Sequence, residues 1–172
     1  MKTFKIHDME IGRGMPKICV PIIEKNHNYI LKQADRIMRS PADIVEWRAD
    51  FYSGNMSKYS LFKFLERLKN RLPGKALLFT YRSVTEGGEG TAEAQEYAAI
   101  CRRAVDSGYI DLIDIEYSMG WQTLRHLTAY AQQRGVKVIS SSHNFSSTPS
   151  NHELQKSFAD MKKSGADVVK LA

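Results

Sequence analysis

The chain has 172 residues, of which 42% are hydrophobic and 26% charged, and this composition fits one globular domain with a sizeable core. No apolar run approaches the roughly 18 residues that cross a membrane, and the charged start MKTFKIHDME predicts no signal peptide. The formal net charge of +6 comes from basic residues scattered among acids, as in KFLERLKNR, so we expect solvated helix faces rather than a nucleic-acid partner.

The first predicted element is a short hairpin at residues 1–14, because FKIHDMEIGRG contains two β-type runs and ends at Gly12 and Gly14. Six runs rich in branched and aromatic residues follow, and they predict strands at 17–23, 44–50, 76–82, 112–117, 136–143 and 167–172. Between them, apolar residues three and four apart predict helices at 27–39, 57–72, 91–108, 121–135 and 150–165.

Local signals mark several helix ends. The second helix stops before Pro73, and Gly108 closes the third, for which Thr91 is the predicted N-cap. Ser150 with Glu153 three residues later has the spacing of a capping box at the start of the last helix.

The alternation of strands and helices predicts a parallel α/β sheet in a single domain spanning residues 1–172, since no linker divides the chain. Two architectures fit. An open, doubly wound sheet suits the length of the chain, whereas a (β/α)8 barrel typically needs about 250 residues. The positions of the polar residues favour the barrel, here with about six strands and five helices.

Polar side chains gather at the carboxyl ends of the predicted strands, which is the end where barrels carry their active sites. Alternate residues share a face of a strand, so the polar residues of one end lie together. They are Glu46, Arg48 and Asp50 in IVEWRAD, Thr80 and Arg82 in ALLFTYR, Asp114 and Glu116 in LIDIEY, His143 in VKVISSSH, and Lys170 in DVVKLA.

Each of these residues also has a structural explanation when it is taken alone. Charged side chains in buried strands are costly unless they are paired or needed, so their coincidence at one end favours a functional site. The structural alternatives are an ion pair for Glu46 with Arg48, a helix cap for Arg82, a hydrogen-bonded strand end for His143, ties between strands for Asp114 and Glu116, and a lysine that reaches water for Lys170.

The segment TYRSVTEGGEG contains glycines directly after a strand, as phosphate-binding loops do. It lacks the spacing of the known phosphate-binding motifs, and its glutamates would repel phosphate. We expect instead a tight turn that holds Glu86 over the site.

A lysine in a dry pocket beside arginines loses its proton easily, and the neutral amine attacks carbonyl carbon to form a Schiff base. In this interpretation Lys170 is the nucleophile and His143 moves a proton, while Arg48 and Arg82 grip the substrate. The residues thus predict a Schiff-base lyase or aldolase acting on a small polar keto acid. No metal is expected, because no His, Cys and carboxylate set has ligand spacing, and the two cysteines fit a reducing, cytoplasmic setting.

Five segments in order resemble type I 3-dehydroquinate dehydratase: EWRADF (46–51), TYRSVTEGG (80–88), DIEY (114–117), SSHNFSSTP (141–149) and GADVVKLA (165–172). The resemblance covers the chain from the hairpin onward. It implies a (β/α)8 barrel whose hairpin closes the bottom, and a homodimer without a cofactor. It also implies the dehydration of 3-dehydroquinate to 3-dehydroshikimate in the shikimate pathway.

By the same resemblance, Lys170 forms the imine with the C3 ketone, and His143 takes the C2 proton and then protonates the departing C1 hydroxyl. Glu86 orients His143. The remaining matched residues, Glu46, Arg48 and Arg82, hold substrate hydroxyls.

The sequence departs from the family pattern after residue 172, where the family continues for roughly two more strand–helix units. Those units carry an arginine for the substrate carboxylate and a closing loop with a serine and a glutamine. Near the end of the first strand, Pro21 stands where the family often has a small polar residue. We therefore expect a truncated barrel with poor activity; the alternatives are another Schiff-base aldolase-type lyase, or a non-catalytic barrel fragment.

Overall fold

The computed structural model describes residues 3–172 and begins with a β-hairpin. Strand β1 (Phe4–Ile6) pairs antiparallel with β2 (Met9–Ile11), and Phe4 lies opposite Ile11. The turn between them places His7 at a φ of 52°, in the left-handed region. The hairpin predicted at 1–14 is therefore present, and residues 1 and 2 lie outside the described part.

Six parallel strands alternate with five helices after the hairpin. The strands are β3 (Cys19–Ile22), β4 (Ile44–Arg48), β5 (Ala76–Thr80), β6 (Leu112–Glu116), β7 (Lys137–Ser142) and β8 (Val168–Leu171). The helices are α1 (His27–Ile37), α2 (Lys58–Asn70), α3 (Ala94–Asp106), α4 (Trp121–Gln132) and α5 (Asn151–Lys163).

The strand order decides between the two architectures. The sheet runs β3-β4-β5-β6-β7-β8, so each strand pairs with its neighbours in sequence. A doubly wound sheet reverses its order at a switch point, and this sheet does not. The six strands and five helices therefore form part of a (β/α)8 barrel, as the polar strand ends indicated.

One face of the sheet carries all five helices. Residues such as Trp47, Phe79 and Ile115 point outward from the strands, and each of them is completely buried. They join one apolar cluster with residues of every helix, from Ile30 in α1 to Met161 in α5. This outer layer explains why most alternate strand positions are apolar, with Ser140 of β7 as a buried polar exception.

The other face changes character along each strand. Near the amino ends, Ile44, Leu78 and Leu112 form a second apolar cluster, which Ile6 of the hairpin covers. Two residues further along the same face the side chains are polar, as at Glu46 in β4. The hairpin thus closes the apolar end, and the opposite end is left polar.

Element ends differ from the sequence expectations where loops fold back on the sheet. Strand β4 stops at Arg48, because residues Ala49–Phe51 turn into a 3₁₀ helix. Helix α3 begins at Ala94 with Glu93 as N-cap, so the prediction of Thr91 was wrong. The cause is Gly90, which exchanges backbone hydrogen bonds with the loop after β5 and keeps the chain extended beyond it. The capping box of Ser150 with Glu153 is present as predicted.

Within residues 3–172, no helix combines the length and the apolar character needed to span a membrane.

One carboxylate ties the hairpin to the barrel. Asp111 accepts hydrogen bonds from the Lys69 ammonium at 2.5 Å and from the Leu77 amide at 2.6 Å. Its other oxygen lies 3.1 Å from Nε2 of His7 in the hairpin turn. Asp111 therefore links three separate segments at the end of the sheet opposite the polar residues.

We expect Asp111→Asn to lower the free energy of unfolding by about 1–3 kcal/mol, because a neutral amide weakens the bonds to Lys69 and His7. Chemical denaturation measures the change. Asp8→Asn, at an exposed position of the same hairpin turn, is the matched control. Equal stability of the two variants would show that Asp111 does not anchor the hairpin.

Candidate active site

The register of the strands brings the predicted catalytic residues to one face. Glu116 pairs with Ser141, and Ser141 pairs with Lys170, so the three side chains point to the same side of the sheet. His143 lies just beyond the end of β7 and binds Glu86, which in turn binds Arg82 on this face. Lys170 and His143 therefore lie on the polar inner face rather than on opposite sides.

Arg82 occupies the centre of this face and is 3% exposed. Its Nη1 lies 3.2 Å from Glu86 Oε2, 3.0 Å from Glu116 Oε1 and 2.9 Å from Ser141 Oγ. Its Nη2 lies 2.9 Å from Asp114 Oδ2. One guanidinium thus joins the loop after β5 to strands β6 and β7. Arg82 is predicted to hold substrate, and its contacts in the structure are with three carboxylates and the Ser141 hydroxyl.

The cluster sets three carboxylates against one guanidinium. Burial works against the charged form of Arg82, but Asp114 and Glu116 outweigh it and raise the pKa of Arg82 above its ordinary value. Burial raises the pKa of Glu116, and hydrogen bonds from Ser83 oppose that shift only in part. Arg82 therefore stays charged, and protonation of Glu116 becomes easier than for an ordinary glutamate.

Asp114 and Glu116 have the structural role that was one of the alternatives for them. Asp114 accepts a hydrogen bond from Ser141 Oγ at 2.5 Å, and Glu116 accepts one from the Ser83 amide at 2.8 Å. Both residues tie strand β6 to its neighbours. Ser141 is a member of the site that the sequence did not single out, because a serine in a strand carries no local signal of its function.

Glu86 and His143 form a pair. Glu86 Oε2 accepts hydrogen bonds from the His143 amide at 3.2 Å and from its Nδ1 at 2.9 Å. Burial alone would raise the pKa of Glu86, but the hydrogen bond from His143 and the charge of Arg82 outweigh it, and the pKa is lowered. An ionised Glu86 keeps the proton on Nδ1 and leaves Nε2 free to accept a proton.

The turn that carries Glu86 needs its glycine. Residues Val84–Glu86 form a 3₁₀ helix, and Gly87 follows with a φ of 77°. A Cβ on Gly87 would lie 2.4 Å from the ring of Phe145. That ring also stacks on His143, with the planes 10° apart. The tight turn expected for TYRSVTEGGEG is therefore present, and it packs against the loop that follows His143.

Glu46 and Arg48 do not pair with each other. Glu46 Oε1 accepts a hydrogen bond from Thr80 Oγ1 at 2.7 Å. Arg48 binds Asp50 through Nε at 2.9 Å and Nη2 at 2.7 Å, and its guanidinium lies over the ring of Phe51. The alternative of a Glu46–Arg48 ion pair was wrong, because the 3₁₀ turn after β4 brings the Asp50 carboxylate to Arg48.

Lys170 does not lie in a dry pocket, and this part of the sequence interpretation was wrong. In strand β8 the two valines are half-buried, whereas Lys170 and Leu171 are exposed. Among the described residues, β8 pairs with β7 and no other strand, which leaves Lys170 open to solvent. The arginines expected beside it are held elsewhere, Arg48 by Asp50 and Arg82 by its cluster.

No group of three or more His, Cys, Asp and Glu side chains in residues 3–172 has the geometry to hold a metal ion.

Known proteins are similar to this chain along nearly its whole length. A model of the family described as type I 3-dehydroquinase matches residues 18–172. The 3-dehydroquinate dehydratase of Clostridioides difficile (strain 630) is 37% identical over 171 residues, which are 99% of this chain and 67% of that protein. The enzyme of the same name from Escherichia coli (strain K12 / DH10B) is 37% identical over 172 residues, which are 100% of this chain and 68% of that protein.

A solved structure is similar over the same extent. The crystal structure of type I 3-dehydroquinate dehydratase from Clostridium difficile superposes with a TM-score of 0.94 at 36% identity, over 99% of this chain and 67% of that one. The resemblance that the five sequence segments indicated is therefore confirmed along the matched length. With a parallel barrel sheet, a polar face at its carboxyl end and these relatives, the chain belongs to the type I 3-dehydroquinase family.

Proposed function

We propose that this chain dehydrates 3-dehydroquinate to 3-dehydroshikimate through an imine on Lys170. The observation that carries the proposal is the Glu86–His143 pair on the same face of the sheet as Lys170. A nucleophilic amine and an oriented proton carrier are the two groups that an imine-based elimination requires.

The reaction proceeds in four steps. The Lys170 amine adds to the C3 ketone as its unprotonated form, and loss of water gives the imine. His143 removes a proton from C2, and the electrons of that C–H bond move toward the imine. His143 then returns the proton to the C1 hydroxyl; the C1–O bond breaks, the hydroxyl leaves as water, and the electrons held by the enamine form the C1=C2 double bond. Hydrolysis of the imine releases the product and regenerates the lysine amine.

Glu86 acts on this sequence through His143. Its ionised carboxylate accepts a hydrogen bond from Nδ1–H, so the proton stays on Nδ1 and the imidazole presents Nε2 as a base before the elimination. The same carboxylate stabilises the imidazolium that forms when the C2 proton is taken. The Arg82 guanidinium, 3.2 Å from Glu86 Oε2, fixes the glutamate in this position.

Glu46, Arg48 and Arg82 are the substrate-binding residues of the proposal. Glu46 and Arg48 lie at the carboxyl end of β4, where their side chains share the face of Lys170. Arg48 is 18% exposed at its side chain, and Asp50 fixes its orientation while part of its fork stays available. Arg82 is enclosed by carboxylates, so its contact with substrate is the most restricted of the three.

We also propose a domain organisation, a pathway, an oligomeric state and a location for the protein. Residues 1–172 belong to one barrel domain, which the single six-stranded sheet of the described residues supports. By its family, the protein acts in the shikimate pathway as a homodimer in the cytoplasm, with no cofactor.

Lys170→Ala is expected to abolish trapping of the imine. Borohydride reduction in the presence of 3-dehydroshikimate should leave a covalent adduct on the wild-type protein, visible by mass spectrometry, and none on the variant. Lys156→Ala, at an exposed position of α5, serves as the control and should be labelled like the wild type. An adduct of undiminished yield in Lys170→Ala would remove Lys170 from the mechanism.

His143→Ala is expected to separate the two chemical roles. Imine trapping persists, while kcat falls by on the order of a hundredfold to ten-thousandfold, because the proton carrier is missing. Turnover is followed as the rising absorbance of the enone product. His152→Ala, exposed on α5, provides the matched control. A variant at position 143 that retains wild-type kcat would contradict the assignment.

Because the pKa of Glu86 is lowered by folding, the free energy of unfolding should depend on pH in the acid range. A carboxyl whose pKa is depressed by folding contributes stability above its unfolded pKa, and loses that contribution as the pH falls through the folded value. The difference in unfolding free energy between wild type and Glu86→Gln should therefore be constant at neutral pH and shrink below the ordinary carboxyl pKa of 4.5. Denaturation series at several pH values measure it, with Glu93→Gln as the exposed control. A difference that does not change with pH would rule out the ionised pair.

A further inference from the structure

We propose that Asp50 is a positioning residue that holds both Arg48 and the loop bearing Glu86, and this inference rests on the function proposed above. Its side chain is 0% exposed. Oδ1 accepts hydrogen bonds from Arg48 Nε at 2.9 Å and from the Arg82 amide at 3.2 Å. Oδ2 accepts them from Arg48 Nη2 at 2.7 Å and from the Glu89 amide at 3.1 Å.

The bonds to Arg48 fix the direction of its guanidinium. Two parallel N–H···O bonds to one carboxylate hold the planar fork in a single orientation. Arg48 is also packed over the ring of Phe51, 5.0 Å from its centroid. A flexible arginine at the rim of a site would lose conformational entropy on binding substrate, and Asp50 removes that loss in advance.

The bonds to the backbone fix the loop between β5 and α3 at two points. Arg82 stands where the chain leaves β5, and Glu89 stands just before the bridge between Ser83 and Gly90. The 3₁₀ turn with Glu86 lies between these points. Asp50 therefore anchors to β4 the segment that presents Glu86 to His143.

The donor set explains why the anchor is a carboxylate. All four groups that face Asp50 are N–H donors, two from a charged guanidinium and two from the backbone. An ionised aspartate offers acceptors on both oxygens, whereas asparagine offers one acceptor oxygen and an NH₂ group that would face donors. Asp50→Asn thus keeps the volume of the side chain and removes half of its acceptor capacity.

Asp50 acts on substrate binding and on catalysis, and kinetics separate these two effects. Releasing Arg48 weakens substrate binding, and displacing the Glu86 loop disturbs the orientation of His143. We expect Asp50→Asn to raise KM roughly tenfold and to lower kcat by on the order of tenfold to a hundredfold, since misplacement by about 1 Å has effects of that size.

A double-mutant cycle tests the first effect. If Asp50 acts on substrate binding through Arg48, the KM of the double variant Asp50→Asn/Arg48→Ala equals that of Arg48→Ala alone. Amide hydrogen exchange tests the second effect, with faster exchange expected at Arg82 and Glu89 in Asp50→Asn.

The matched control is Asp111→Asn. Asp111 also accepts bonds from a cationic side chain and a backbone amide, but it lies at the opposite end of the sheet. We expect it to lower stability while KM, kcat and exchange at Arg82 and Glu89 stay at wild-type values. A merely structural role of Asp50 predicts the same behaviour for both variants, so that result would overturn the inference.

The outcomes separate the inference from the function on which it rests. A wild-type protein that neither turns over 3-dehydroquinate nor forms a trappable imine would overturn the proposed function, and the inference with it. An active wild type with additive KM effects at Asp50 and Arg48 would overturn the inference alone.

If Asp50→Asn does not fold, NMR of the wild-type protein tests whether Asp50 anchors Arg48. Slow exchange of the Arg48 Nε proton, compared with that of exposed Arg125, supports the anchor. Equally fast exchange at both arginines would overturn it.

Discussion

The polar end of the sheet depends on the buried guanidinium of Arg82. Carboxylates of Glu86, Asp114 and Glu116 surround it, the first from the loop after β5 and the other two from strand β6. Buried charges are tolerated when they are paired, and removing one partner of such a pair typically costs about 3–5 kcal/mol. Paired charges therefore join the loop after β5 to strand β6. This network delivers Glu86, in its ionised form, to His143.

The sheet accommodates this charge because its inner face is divided along the strands. The amino ends are apolar under the hairpin, and the carboxyl ends are polar. Apolar packing is thus concentrated in two places. Trp47 belongs to the outer layer against the helices, and Leu78 belongs to the cluster that the hairpin covers. The candidate active site lies at the carboxyl ends of the strands, where burial and hydrogen bonds can shift carboxyl pKa values without disturbing the apolar core.

Much of this arrangement was predictable from local patterns. Strand alternation placed Trp47 against the helices and Glu46 on the opposite face, and the capping signal of Ser150 located the start of α5. The prediction failed for Thr91, because backbone bonds of Gly90 to the preceding loop override the local preference. The prediction that Lys170 is buried also failed, because its exposure depends on which strands flank β8 and not on the apolar residues beside it in the sequence.

The sequence by itself determined the order of the elements, the face to which each polar side chain points, and the residue types that imply imine chemistry. Only the tertiary structure decided which groups bind one another. Arg82 finds Glu116 and Ser141 at separations of 34 and 59 residues along the chain, and Arg48 selects Asp50 instead of Glu46. Side-chain alternation is a local property of the strand, whereas hydrogen-bond partners are fixed by strand register and by loops that return from distant parts of the chain.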